Sequence, residues 1–131
     1  MDNRFEVTVG AGTMMSASDA AVCFPHRWTP GGVTVEGDFT GGHLLNLAAA
    51  GCVLNDVYRE AAALGIEVSG VRVTAAGGFD TATWQSTGID YSVEVSSDAS
   101  ADQRAHLLDV VDQVAEIPQA IRAGASVRRV S

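Results

Sequence analysis

Phe5-Glu6-Val7-Thr8-Val9 alternates apolar and polar residues, the period of a half-buried strand. Ala20-Ala21-Val22-Cys23-Phe24 and Val33-Thr34-Val35-Glu36 read as a second and a third short strand. Between those two, Pro25 to Gly32 holds two prolines and a glycine pair, the composition of an exposed loop. The first third of the chain is therefore expected to be a small β-meander. After Thr40-Gly41-Gly42 the period changes. From roughly Gly42 to Leu64 there is no proline, alanine and leucine dominate, and Gly65 follows as a stop. That predicts a helix of about six turns. Leu47, Ala50, Leu54, Val57 and Ala61 share one face of it, while Cys52, Asn55, Asp56 and Arg59 fall on the other. Its first half is apolar nearly all round, so burial on several sides is expected.

Two strand-like runs follow, Val68 to Ala75 and Ile89 to Val95, the second alternating cleanly. Ser100-Ala101-Asp102-Gln103 then opens a second helix, with Ser100 as N-cap and Gln103 in the capping-box position. Leu107, Leu108, Val111, Val114 and Ala115 supply its buried face, and Ile117-Pro118 interrupts it. A short turn of helix through Arg122 and a last strand, Ala125 to Val130, complete the expected order β-β-β-α-β-β-α-β. That order describes an α+β domain with two helices packed on antiparallel sheet. At 131 residues a single domain, 1–131, is expected.

Composition narrows the function classes. The chain is 47% hydrophobic and only 18% charged, enough apolar surface to bury a real core. A net charge of −8 repels phosphate backbones and anionic lipid, so neither nucleic acid nor membrane is expected as a partner. Acidic residues near the start and the lack of a membrane-length apolar run point to a cytoplasmic protein. There, a permanent bridge between Cys23 and Cys52 is not expected. His26, His43 and His106 are scattered without metal-ligand spacing, so no metal and no cofactor are expected.

Candidate chemistry centres on Cys52. Thiolate character is raised by cations and helix N-termini and lowered by apolar burial. Cys52 is mid-helix, and the nearby charges of Asp56 and Arg59 partly cancel. Helix physics alone makes it a small hydrophobe among alanines. His43 lies about two and a half turns away, too far to pair with the sulfur within one helix. His26-Arg27-Trp28 places a base, a cation and an aromatic ring on one loop that could close over a pocket. Cys23 ends the strand beside that loop and would serve as a resolving thiol only if the fold brought it to Cys52.

The chain from about residue 38 onward resembles the OsmC/Ohr family. The carriers are Gly42-His43-Leu44-Leu45-Asn46-Leu47-Ala48-Ala49-Ala50-Gly51-Cys52, Val57-Tyr58-Arg59, Ala63-Leu64-Gly65-Ile66, Val68-Ser69-Gly70-Val71-Arg72-Val73, and Val114-Ala115-Glu116-Ile117-Pro118. Single strings are weakly specific; their order and spacing carry the resemblance. It implies an OsmC-like fold with the long helix at the centre of an intertwined homodimer. It further implies a reactive cysteine at Cys52 that reduces an organic hydroperoxide through a sulfenic acid and a second cysteine.

Three departures accompany it. The second cysteine of the family falls at Ile117, the carboxylate ten residues before the reactive cysteine falls at Gly42, and the activating arginine has only Arg27 as a counterpart. Cys52 and Arg27 are thus the catalytic candidates, with His26, Trp28, Asp56 and Arg59 as binding candidates. Three readings stand: a divergent thiol peroxidase with non-standard auxiliary residues, a different enzyme or small-molecule-binding homodimer using the same pocket for an apolar metabolite, and a non-catalytic homodimer in which Cys52 is packing.

Overall fold

The computed structural model describes residues 2–131. A five-stranded antiparallel sheet carries all three helices, with β1 Val7–Gly12, β2 Val22–Phe24, β3 Val33–Glu36, α1 Gly41–Leu64, β4 Gly70–Ala76, β5 Asp90–Ser96, α2 Ala101–Val114 and α3 Glu116–Ala123 in chain order. Strand order is β2-β3-β1-β4-β5. The α+β architecture and the antiparallel sheet are as expected from the sequence. Among the described residues no helix is long and apolar enough to cross a membrane.

Register explains the core. Val9 lies opposite both Val35 and Val73, and Val73 lies opposite Val93. Residues paired directly across strands point to the same side, so these valines share one face. Against that face α1 packs Ala50, Val53, Leu54, Val57 and Ala61, and α2 adds Leu107 and Val111, in one buried cluster. The opposite face carries Thr8, Thr34, Arg72, Thr74 and Glu94, with Arg72 bonded to Glu94 at 2.9 Å.

The helix ends obey local chemistry. Thr40 caps α1 by accepting the His43 amide, and Gly65 ends it in a left-handed conformation at φ 70. Ser100 and Gln103 form the reciprocal capping box at the start of α2. Pro118 sits in the first turn of α3, where its missing N–H interrupts no helical bond.

Three sequence expectations change. The N-terminal strands are not a simple meander, because β1 pairs with β3 and β4 and never with β2. The connection through residues 13–21 crosses the polar face instead, where the Ser16 amide donates to Thr34 Oγ1 at 2.8 Å. The first strand begins at Val7, not Phe5, since Phe5 adopts a left-handed conformation at φ 54 that no strand accommodates. Finally, Ala125 to Val130 forms no strand: it is irregular and exposed, Val127 at 95%. Alternation specifies a period, and this segment pairs with neither edge of the sheet, β2 nor β5, so it forms no ladder.

Candidate functional site

Cys52, Asp56 and Arg59 lie at i, i+4 and i+7 on α1, one stripe down the helix. What covers that stripe is the α2–α3 junction. Ala115 is buried in extended conformation and serves as the C-cap of α2 and the N-cap of α3. Glu116 therefore projects onto α1 from the opening of α3. Its Oε2 accepts the Cys52 thiol at 3.4 Å, and its Oε1 accepts Arg59 Nη1 at 2.9 Å. Arg59 Nη2 is also 3.1 Å from Asp56 Oδ2. A thiol, two carboxylates and a guanidinium converge, contributed by segments 64 residues apart.

Burial sets their protonation. Asp56 is only 3% exposed, and its Oδ2 makes no hydrogen bond despite the nearby guanidinium. Loss of solvation pushes its carboxyl up to about 6; Arg59 opposes this, and the charge of Glu116 reinforces it. Glu116 goes the other way, to about 2, chiefly because Arg59 hydrogen-bonds it. The Cys52 thiol is raised above its ordinary value, first by burial, then by the two carboxylates, while the Ile117 backbone amide pulls it down. At neutral pH Cys52 is a thiol that donates to Glu116, not a preformed thiolate.

Cys52, Asp56 and Glu116 place their donor atoms within 4.8 Å of one another, a cluster that the spacing along the chain did not reveal. A borderline-soft divalent ion takes such ligands. Here Arg59 already sits between the two carboxylates at ion-pair distance, so the positive charge is supplied by the protein.

The loop candidates gather elsewhere on α1. His26 is tied by Nδ1 to Thr29 Oγ1 at 2.7 Å and by Nε2 to Asn55 Oδ1 at 2.9 Å. Its ring meets the Tyr58 ring edge-on at 5.7 Å and Trp28 at 5.4 Å. With both nitrogens engaged, His26 fastens the loop to the helix. It also closes one end of a cavity of about 300 Å³ lined by Phe24, Val33, Leu47, Gly51, Leu54 and Asn55. Arg27 is exposed, with its guanidinium 5.7 Å from the centre of the Trp28 ring; it makes no hydrogen bond or ion pair with Cys52 among the described residues. Cys23 lies opposite Thr34 in the β2–β3 register, on the sheet face turned away from α1. Both cysteines are free, with the sheet between them.

Residues 34–128, well over half of the chain, match the family described as OsmC-like protein. The chain belongs to the OsmC-like family. Its fold is similar to that of an OsmC-like hydroperoxide resistance protein from Jannaschia sp. CCS1, with a TM-score of 0.52 at 14% identity, covering 96% of this chain and 93% of that one. No curated protein matches.

Within the OsmC-like frame, two of the three departures seen in the sequence acquire physical reasons. At Gly42 a Cβ would lie 2.5 Å from Cγ and Cδ1 of Phe5. The Phe5 ring is wedged edge-on against His43 at 5.3 Å and Phe79 at 5.7 Å, and its carbonyl accepts from buried Asn46 at 2.9 Å. The space of a helix-start carboxylate is filled by an aromatic ring. At Ile117 the backbone amide faces the Cys52 sulfur, so this position adjoins the thiol while carrying no second sulfur. The carboxylate beside the thiol comes instead from the neighbouring Glu116. The only sequence signal for it was the residue before Ile117-Pro118, which local spacing cannot connect to Cys52.

Gly42→Glu, which restores the family carboxylate in sequence, should accordingly lower stability by about 1–3 kcal/mol through overpacking and should not speed any reaction at Cys52. Thermal melts and thiol reaction rates of the variant check both halves.

Proposed function

We propose that this OsmC-like chain is a one-cysteine hydroperoxide reductase, with Cys52 as nucleophile and an external thiol as reductant. The observation that carries this reading is the line Cys52 Sγ, Glu116, Arg59, with contacts of 3.4 and 2.9 Å. It gives the attacking thiol a proton acceptor and gives that acceptor a fixed cation, the requirements of an activated nucleophile. Sulfur attacks one peroxide oxygen, the O–O bond breaks, and Cys52 becomes sulfenic acid as an alcohol leaves. One external thiol then releases water and forms a mixed disulfide, and a second regenerates Cys52 with an external disulfide as product. Ile117 at the second-cysteine position and Cys23 beyond the sheet favour this external route. A thiol-rich cytoplasm suits that turnover.

A homodimer is part of the proposal. Phe39 is 90% exposed, Val22 57% and Phe24 50%, and with Leu44 and Leu47 they line an apolar recess. Contiguous exposed apolar surface of this kind fits coverage by a second copy. In that assembly Arg27 and Trp28, which make no hydrogen bond or ion pair with Cys52 among the described residues, would be free to serve a partner's site.

The experiment is a single oxidation. Stoichiometric cumene hydroperoxide should convert Cys52 to a sulfenic acid, trapped with dimedone and located by mass spectrometry, faster than it oxidises free cysteine. Oxidation at the rate of free cysteine sinks the reading. In that case the cavity beside Gly51 and Asn55, apolar apart from its His26–Asn55 end, supports the second reading: binding of a small apolar metabolite, detectable as a raised melting temperature that survives Cys52→Ala.

A further inference from the structure

Asp56 is unexplained by nucleophilic attack alone. It is a carboxyl 3% exposed on the helix turn directly after the thiol, and its Oδ2 lies 3.1 Å from Arg59 Nη2 but makes no hydrogen bond. Burying such a group is costly unless it is compensated.

Peroxide cleavage supplies the missing requirement. The attacking thiol must lose a proton, and the leaving alkoxide, a strong base, must gain one. Both events fall within the small cluster where Cys52, Asp56 and Glu116 place their reactive atoms inside 4.8 Å. We propose that Asp56 and Glu116 form a carboxyl pair that takes the proton from Cys52 and returns it to the leaving oxygen of the hydroperoxide. This rests on the hydroperoxide-reductase reading and assigns the proton path within that site.

The division of labour follows from what surrounds each acid. Glu116 receives the S–H directly, at 3.4 Å, but Arg59 holds its charge so firmly that it retains a proton poorly. Asp56 faces Cys52, Arg59 and Glu60 from its own helix and Glu116 from α3. With its carboxyl near 6 and Glu116 placed to share a proton with it, Asp56 is the member that holds the proton in transit. A carrier tuned close to the working pH moves protons in both directions most effectively. The step balances. The S–H and O–O bonds break, S–O and O–H bonds form, sulfur is oxidised by two electrons, the peroxide is reduced by two, and the thiol's proton ends on the alcohol.

The test compares two oxidants in single-turnover experiments at neutral pH on the intact protein. Cumene hydroperoxide expels a basic alkoxide that must be protonated, whereas peracetic acid expels acetate, which need not be. Asp56→Asn should slow oxidation of Cys52 by cumene hydroperoxide by about 10²-fold and leave peracetic acid oxidation nearly as in the unmodified protein. The ratio of the two rates is measured on one preparation, so partial loss of folded protein cancels. Glu116→Gln, at an exposed position, also removes the acceptor of the thiol proton, so it should slow both oxidants and cumene hydroperoxide by the larger factor; that excess is read if Asp56→Asn does not fold. In either variant, a loss no greater with cumene hydroperoxide than with peracetic acid, or no loss, overturns the proton path while leaving the reductase intact. If the unmodified protein reacts with cumene hydroperoxide no faster than free cysteine, the reductase reading fails and the proton path with it.

Discussion

Cys52→Ser should reduce the turnover of cumene hydroperoxide with excess dithiothreitol to the uncatalysed rate, whereas Cys23→Ser should leave it essentially unchanged. The asymmetry follows from the register of a three-residue strand. Cys23 is paired with Thr34, whose neighbours Val33 and Val35 point toward α1. Thr34 itself points away and bonds to the Gly10 carbonyl at 3.2 Å. Adjacent residues of a strand face opposite sides, so the sheet stands between the two sulfurs of one chain. No disulfide forms across such a layer without unfolding it. The serine at position 52 keeps the size and the donor to Glu116 and loses only the nucleophile, so the variant should melt within about 1 kcal/mol of the parent stability. Full activity in Cys52→Ser would remove the thiol from the mechanism. A lost turnover in Cys23→Ser, with a Cys23–Cys52 disulfide in the parent, would mean that the resolving thiol is internal or comes from a partner chain.

Arg59→Met should slow hydroperoxide reduction at neutral pH by about tenfold or more and displace the activity toward alkaline pH. Arg59 lies 3.1 Å from Asp56 and 2.9 Å from Glu116, and it is the first cause of the low Glu116 value. Without it two carboxylates face each other uncompensated, Glu116 returns toward the ordinary carboxylate range, and Asp56 rises further above 6. The pair then holds a proton at pH values where it should be accepting one from the thiol. The sign is definite: activity that needs the ionised pair rises with pH through its titration, so moving that titration upward moves the rising limb upward. Lysine at position 59 should recover part of the loss by restoring charge without the two-pronged geometry. The cost in stability should be modest, about 1–3 kcal/mol, because the guanidinium side chain is 42% exposed. Rates measured across pH for the arginine, lysine and methionine forms distinguish a proton effect from simple destabilisation.

These expectations depend on contacts that the sequence could indicate only in part. Local chemistry was legible because its range is short. The Thr40 cap and Gly65 stop bounded α1, Ser100 and Gln103 opened α2, and alternation located each strand to within a few residues. Each of these features is decided by neighbours within one or two turns or one strand, where side-chain period and capping geometry act. Helix physics alone made Cys52 a small hydrophobe, and the resemblance to the OsmC/Ohr family identified it as the residue to examine.

Only the tertiary structure decided what surrounds that cysteine. Glu116 reaches the sulfur because Ala115 bends the chain between two helices. Asp56 is buried because that junction folds over the stripe that the helical period set opposite the apolar face. Gly42 is a glycine because Phe5, distant in sequence, needs its space. The strand expected at Ala125 to Val130 is absent because the segment docks on neither sheet edge, which sequence period cannot arrange. Charge and burial act through space, over a few ångströms and without regard to chain separation. The sequence by itself therefore determined the elements and the thiol. The fold determined the thiol's partners.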